Sequence, residues 1–219
     1  MPRVGAEHRK RQRDEACFGF LVRLPERAPE VVRALRETVF PAYHAAVTED
    51  PWLALRPISS WPWDRADTDA YPLSARARLA SYRWAHRHNL TLRGEPPRWL
   101  LDAAQEALTW WHKLGSRAAE GPRPIWPFSD PPAPINMTHH GRGSPPPVVP
   151  PEEHLDTLDR DLVWFIRWQV QRRTWAAIRK EFTIDRDHEA TIRKAVARMA
   201  QRLGFTLRIG QRGRPSLSE

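Results

Sequence analysis

Cysteine is almost absent. Cys17 is the only thiol in 219 residues, which excludes an intrachain disulfide and a cysteine-based zinc cluster. Long apolar runs are missing: none approaches the roughly 20 residues needed to span a bilayer, so no membrane partner is expected. The opening MPRVGAEHRKRQRDEACFGF is basic but carries no apolar signal core, which points to a cytoplasmic protein. Catalytic signatures are lacking too. There is no glycine-rich phosphate loop, nucleophile elbow or paired-carboxylate motif. Ser59, Ser60 and Ser116 have no triad context, and the densest carboxylates, Asp64, Asp67 and Asp69, read as a solvated loop. Histidines are scattered. His139 and His140 lie in a loop without a helical His/carboxylate pair, and His86 and His88 would point different ways on a helix. No metal, no cofactor and no enzyme activity are expected.

Lysine occurs only at 10, 113, 180 and 194, so arginine carries nearly all the positive charge. The excess is large, +9 formally, with a pI near 10.6. Such a balance favours an anionic partner, nucleic acid before an acidic protein or a membrane surface. Arginine suits bidentate phosphate and guanine contacts, although a GC-rich genome would produce the same bias. A hydrophobic content of 41% suffices for a core, while 22 prolines imply much irregular chain.

Residues 1–16 are polar and of mixed charge and read as a mobile basic tail, with Arg9, Lys10, Arg11 and Arg13 available to phosphates. The run FGFLVRL ends at Pro25 and is either a strand or the start of a buried turn. Residues 28–47 read as helix, with Val32, Leu35, Val39 and Tyr43 at helical spacing and Pro41 expected to kink or end it. Residues 48–73 are irregular. Trp52, Trp61 and Trp63 sit among prolines there, a pattern of chain wrapping a domain rather than stacking on bases, since no basic groove residues are interleaved. Ser74 suits an N-cap, followed by Ala77, Ala80, Trp84 and Arg87 on one face up to Asn89. A second helix, Pro96 to Leu114, carries Leu100, Ala104, Leu108, Trp111 and Leu114 at a 3.6 period, with Gly115 as its C-cap. The two read as an antiparallel pair joined by LTLRGEP. Residues 121–153 hold prolines at 122, 124, 127, 131, 132, 134, 145, 146, 147, 150 and 151, half of the 22, and read as a linker. Trp126 and Phe128 should dock back on the N-terminal domain.

The last quarter is the most informative. Leu155, Leu158, Leu162, Phe165, Ile166 and Val170 form one apolar stripe. Asp156, Asp159 and Asp161 lie near its start and Arg172 and Arg173 near its end, as the helix dipole favours. Thr174 suits an N-cap for a short helix with Trp175, Ile178 and Phe182 inward. Asp187 suits the cap of the next helix, whose buried face is Ile192, Ala195, Val196, Met199 and Leu203, with Gly204 as its stop. After Glu189 the charge is almost wholly positive: Arg193, Lys194, Arg198, Arg202, Arg208, Arg212 and Arg214 against Glu219.

Three helices in this order, the second short and the third long and basic, resemble the bacterial helix-turn-helix superfamily over residues 155–205. TWAAIRKEF is similar to the first helix of the motif, and EATIRKAVARMAQRL to its recognition helix. Arg179 stands where a small residue is usual and Thr183 where glycine is common, and the turn is longer than the tight form. The resemblance implies double-stranded DNA as partner. His188, Ala190, Thr191, Lys194, Arg198 and Gln201 would read base edges. Arg172, Arg173, Arg179, Lys180, Arg193 and Arg202 would hold phosphates. Arg212-Gly213-Arg214-Pro215 resembles the AT-hook core, so Arg208, Arg212, Gly213 and Arg214 would form a minor-groove arm; FTLRIGQRG could instead form a small wing.

The expectation is therefore a mainly α protein: a tail (1–16), a Trp-rich helical domain (17–120), a Pro-rich linker (121–153), a helix-turn-helix domain (154–205) and a basic arm (206–219). It would bind DNA as a transcriptional regulator or mobile-element accessory protein associated with the nucleoid. Another protein on the Trp-rich domain and a homodimer are compatible with this. An assembly module with a dimerising C-terminus, or a nuclease or integrase-like enzyme, are the alternatives.

Overall fold

The computed structural model describes residues 3–62, 72–115, 126–128, 157–184 and 188–208. Its regular elements are helical: among the described residues there is no strand, only an isolated bridge between Leu92 and Glu95. The mainly α expectation holds.

The first helix, α1 (Arg3–Arg27), begins within the stretch expected to be a tail. From Glu7 to Glu15 it is polar all round, and such a stretch needs side-chain pairs four residues apart to persist. Arg11 Nε donates to Glu15 at 2.9 Å and Gln12 pairs with His8 at 2.8 Å. Ala16, Phe20 and Leu24 then form a buried stripe at fourfold spacing. FGFLVRL is therefore helical. No apolar stripe before Ala16 announces the helix, which is why it reads as tail.

Pro25 lies inside α1 without ending it. A proline has no N–H for the carbonyl four residues back. The orphaned Leu21 carbonyl accepts instead from Trp126 Nε1, at 2.8 Å. Trp126 is buried against Trp111 and Phe128, the docking its sequence context suggests.

Next come α2 (Pro29–Ala34), a π turn (Leu35–Val39) and α3 (Phe40–Glu49) in continuous succession. Pro41 was expected to kink or stop this helix. The wider π turn absorbs it, with the Phe40 N–H reaching the Leu35 carbonyl. Val32, Leu35, Val39 and Tyr43 are all fully buried. Two short 3-10 turns follow (Pro51–Leu55 and Ile58–Ser60). Trp61 is buried, stacked on Tyr43 with centroids 5.5 Å apart, and donates to the Arg56 carbonyl at 3.0 Å, as wrapping requires. Trp52 is exposed, and Trp63 lies outside the described residues.

The fourth helix, α4 (Pro72–Arg87), starts before Ser74, which is a buried residue inside it rather than its cap. Asn89, at φ +58, turns the chain out of it. The fifth, α5 (Arg98–Leu114), ends on Gly115 at φ +66, as read. The expected antiparallel pairing of these two is not the principal contact, because α4 packs chiefly on α3. Both helices bury broad alanine-rich faces, so their periodicity does not identify their neighbours.

The C-terminal helices are α6 (Thr157–Phe165), continued by a π turn (Ile166–Val170), then α7 (Trp175–Glu181) and α8 (Glu189–Leu203). Both α6 and α8 pack on α1. The approach of α1 to α6 is close enough that a Cβ on Gly19 would sit 2.9 Å from Leu162 Cδ1 and force that side chain to shift. Phe20 meets Trp99, Phe165 and Phe205 at centroid distances of 6.0, 6.1 and 5.8 Å. Buried residues from Ala16 to Phe205 form one continuous cluster. The boundary expected at 121–153 thus does not divide the core.

Gln169, fully buried, fastens the tail of α8 to the rest. Its Nε2 donates to the Asn89 and Thr206 carbonyls, each at 2.8 Å, and its Oε1 accepts from the Arg208 N–H at 3.0 Å. Replacing Gln169 with Leu would leave three backbone groups unpaired. A loss of about 3 kcal/mol in unfolding free energy follows, measurable by urea denaturation; a neutral result would show that these groups find water.

Candidate nucleic-acid interface

The short helix α7 is capped as its sequence suggests: Thr174 Oγ1 accepts from the Ala177 N–H at 3.1 Å. The start of α8 differs. His188 occupies the N-cap without a side-chain cap bond, and Asp187 lies outside the described residues. Gly204, left-handed at φ +70, ends the helix.

One side of α8 is fully committed to the core: Ile192, Ala195, Val196, Met199, Ala200 and Leu203 are all buried. The opposite side is open. His188, Ala190, Thr191, Lys194, Arg198 and Gln201 are all exposed. Helical spacing places Thr191, Lys194, Arg198 and Gln201 along a single stripe. The last turn of the helix is tied to α5, where Trp99 Nε1 donates to the Leu203 carbonyl at 2.8 Å.

Two carboxylates missed by sequence reading organise this face. Asp161 reads as a partner of the α6 dipole, but it is buried and accepts from Arg198 at 3.1 Å, with Arg160 at 3.4 Å. Glu189 gathers Arg179 at 3.3 Å and Arg193 at 2.5 Å, tying the end of α7 to the start of α8. The position of Asp161 beside Leu162 in an apolar stripe was the available signal. Asp159 is likewise taken up by an ion pair, with Arg23 of α1 at 2.6 Å.

The phosphate candidates divide. Arg173 and Lys180 are exposed and Arg202 is half-buried. Arg179 and Arg193 are engaged with Glu189. Arg172 sits at φ +57 and donates to the Arg87 carbonyl at 3.1 Å.

Arg208 is not a mobile arm. Its guanidinium lies 3.8 Å from the centre of the Trp168 ring and donates to the Arg173 carbonyl at 2.6 Å. Trp168 stacks on Trp175 with centroids 3.5 Å apart, so the indole is held between an aromatic ring and a cation. The segment 205–208 lies against the turn at 91–93, where the Thr206 N–H meets the Thr91 carbonyl at 2.8 Å. It has no strand and does not project as a wing. Arg212, Gly213 and Arg214 lie outside the described residues.

At the end of α4, His88 is held well below the ordinary histidine value of 6.5, at about 4, first by burial and then by Arg87 and Arg172. No protein-family model, curated protein or solved structure matches the chain.

Two outcomes follow. Arg198→Ala strands the buried Asp161 carboxylate with only the longer Arg160 contact, and should cost about 2 kcal/mol of stability. Asp161→Asn with Arg198→Ala should recover most of that loss in chemical denaturation; equal loss in both variants would exclude the ion pair as the cause. For His88, the unfolded chain takes up a proton near pH 6.5 and the folded chain only near 4. Stability should therefore be complete above pH 6.5 and decline as pH falls towards 4. His88→Gln should flatten that decline in thermal melts taken across the window.

Proposed function

We propose that this chain binds double-stranded DNA by laying the exposed basic stripe of α8 in the major groove, serving as a transcriptional regulator or a mobile-element accessory protein. It acts by binding, not by catalysis. One observation carries the reading: α8 is anchored along its whole apolar side while Thr191, Lys194, Arg198 and Gln201 face outward together. A stripe of that shape and charge fits the groove, where polar side chains can meet base edges. Arg173, Lys180 and Arg202 would meet phosphates, giving affinity without sequence information. The resemblance of α6–α8 to the helix-turn-helix order supports the same assignment. None of the described helices is long and apolar enough to cross a membrane.

Away from α8, Trp52 is 71% and Leu55 75% exposed on one short turn. That apolar pair favours a protein partner on the N-terminal half, alongside DNA binding.

Lys194 makes the cleanest probe, because no ion pair holds it among the described residues, whereas Arg198 is also structural. Lys194→Ala should weaken binding to random duplex several-fold at moderate salt and reduce the log–log salt slope by about 0.9. An unchanged slope would remove α8 from the interface, and metal-dependent nicking of the duplex would overturn the non-catalytic reading.

A further inference from the structure

His44 and His112 are 68 residues apart in sequence, yet their Nδ1 atoms lie 2.9 Å from each other on neighbouring helices, α3 and α5. Their ring centres are 4.9 Å apart with planes inclined at 52°. We propose that they form a two-imidazole site for a late first-row divalent metal ion, of the Ni²⁺ or Zn²⁺ kind, clamping α3 to α5. This goes beyond the DNA-binding reading and does not rest on it.

The spacing fits such an ion. With metal–nitrogen bonds of roughly 2.0–2.1 Å, two nitrogens at right angles about the metal are about 2.9 Å apart, and at a tetrahedral angle about 3.3 Å. The observed separation suits the first geometry and needs a few tenths of an ångström for the second. Imidazole is a favoured ligand for this group of metals.

The pair is held in place by its neighbours. Phe40, one turn before His44, packs edge-on against Trp111 at 6.0 Å and 89°. Tyr43 and Thr109 share a hydroxyl hydrogen bond at 2.6 Å. These contacts set the register of α3 against α5 independently of any metal, so the two nitrogens stay near each other and only the imidazole rings need turn to share an ion. His44 is exposed and His112 half-buried, which leaves the site open to an ion from solution. Burial, and then the neighbouring His44, holds His112 below its ordinary value, keeping its imidazole neutral and able to ligate at neutral pH. Among the described residues no third histidine, cysteine or carboxylate joins them, so water would complete the coordination. A simple N–H···N hydrogen bond between the rings is the competing account.

Titration of the full chain with Ni²⁺ at neutral pH distinguishes the two. The expected result is a saturable rise in Tm with one ion bound per chain, lost in His44→Gln and in His112→Gln. It should persist in a His139→Gln, His140→Gln variant, which controls for the adjacent histidines elsewhere in the sequence. The exposed His44 site should tolerate glutamine without disturbing the fold, checked by circular dichroism and the metal-free Tm, so that variant decides alone if His112→Gln does not fold. No saturable rise in the parent chain, or the same rise in His44→Gln, overturns the proposal.

Discussion

Enclosure of Phe20 is the contact on which the other packing depends. Its ring touches Trp99, Phe165 and Phe205, three aromatic residues from three separate parts of the chain. Aromatic groups of this size dominate the burial available to a small core. Around this centre α1 acts as the common support: α2, α6 and α8 all lie against it. The angle at which α8 meets solvent is consequently decided by residues near the amino end. Trp99 extends the same control through its bond to the last turn of α8.

The basic face of α8 carries both stability and charge, and the two are partly in competition. Arg198 neutralises a buried acid, and Arg193 neutralises Glu189, while Lys194 does neither. A polyanion approaching this surface would find Lys194 ready and would have to share Arg198 with Asp161. Asp161 in turn limits where the Arg198 guanidinium can point, which gives the stripe some of the preorganisation a recognition surface needs. The formal excess of positive charge therefore overstates the charge free to meet a partner.

Much of this architecture is legible in the sequence where an apolar stripe, a cap and a stop coincide. The helix ending at Gly115, the cap at Thr174, and the division of α8 into buried and exposed sides are all of that kind. The opening of α1 is not, because it is held by Arg11–Glu15 and Gln12–His8 pairs rather than by burial. Pro25 and Pro41 mislead for a specific reason. Their local cost is real, but an indole N–H in one case and a π turn in the other meets it. Arg208 reads as part of a basic arm, and only the stacked Trp168 and Trp175 reveal it as a structural cation. His44 and His112 could not be paired by inspection, since nothing local links α3 to α5. Contacts made across many residues leave no periodic trace, as with Asp161 and Arg198, 37 positions apart, whereas the Glu189–Arg193 pair, four apart on one helix, is legible locally.

The bond from Trp126 to the Leu21 carbonyl has a consequence for the proline-rich stretch beyond it. Phe128 and Leu158, at either side of that stretch, both pack against the same core. The buried cluster thus takes in chain from both sides of residues 129–156, which join two points of one core. The entropy of such a closure changes slowly with contour, by about 0.6 kcal/mol for each doubling. By that scaling the number of residues there weighs little on stability, while the single indole that caps the orphaned Leu21 carbonyl weighs more.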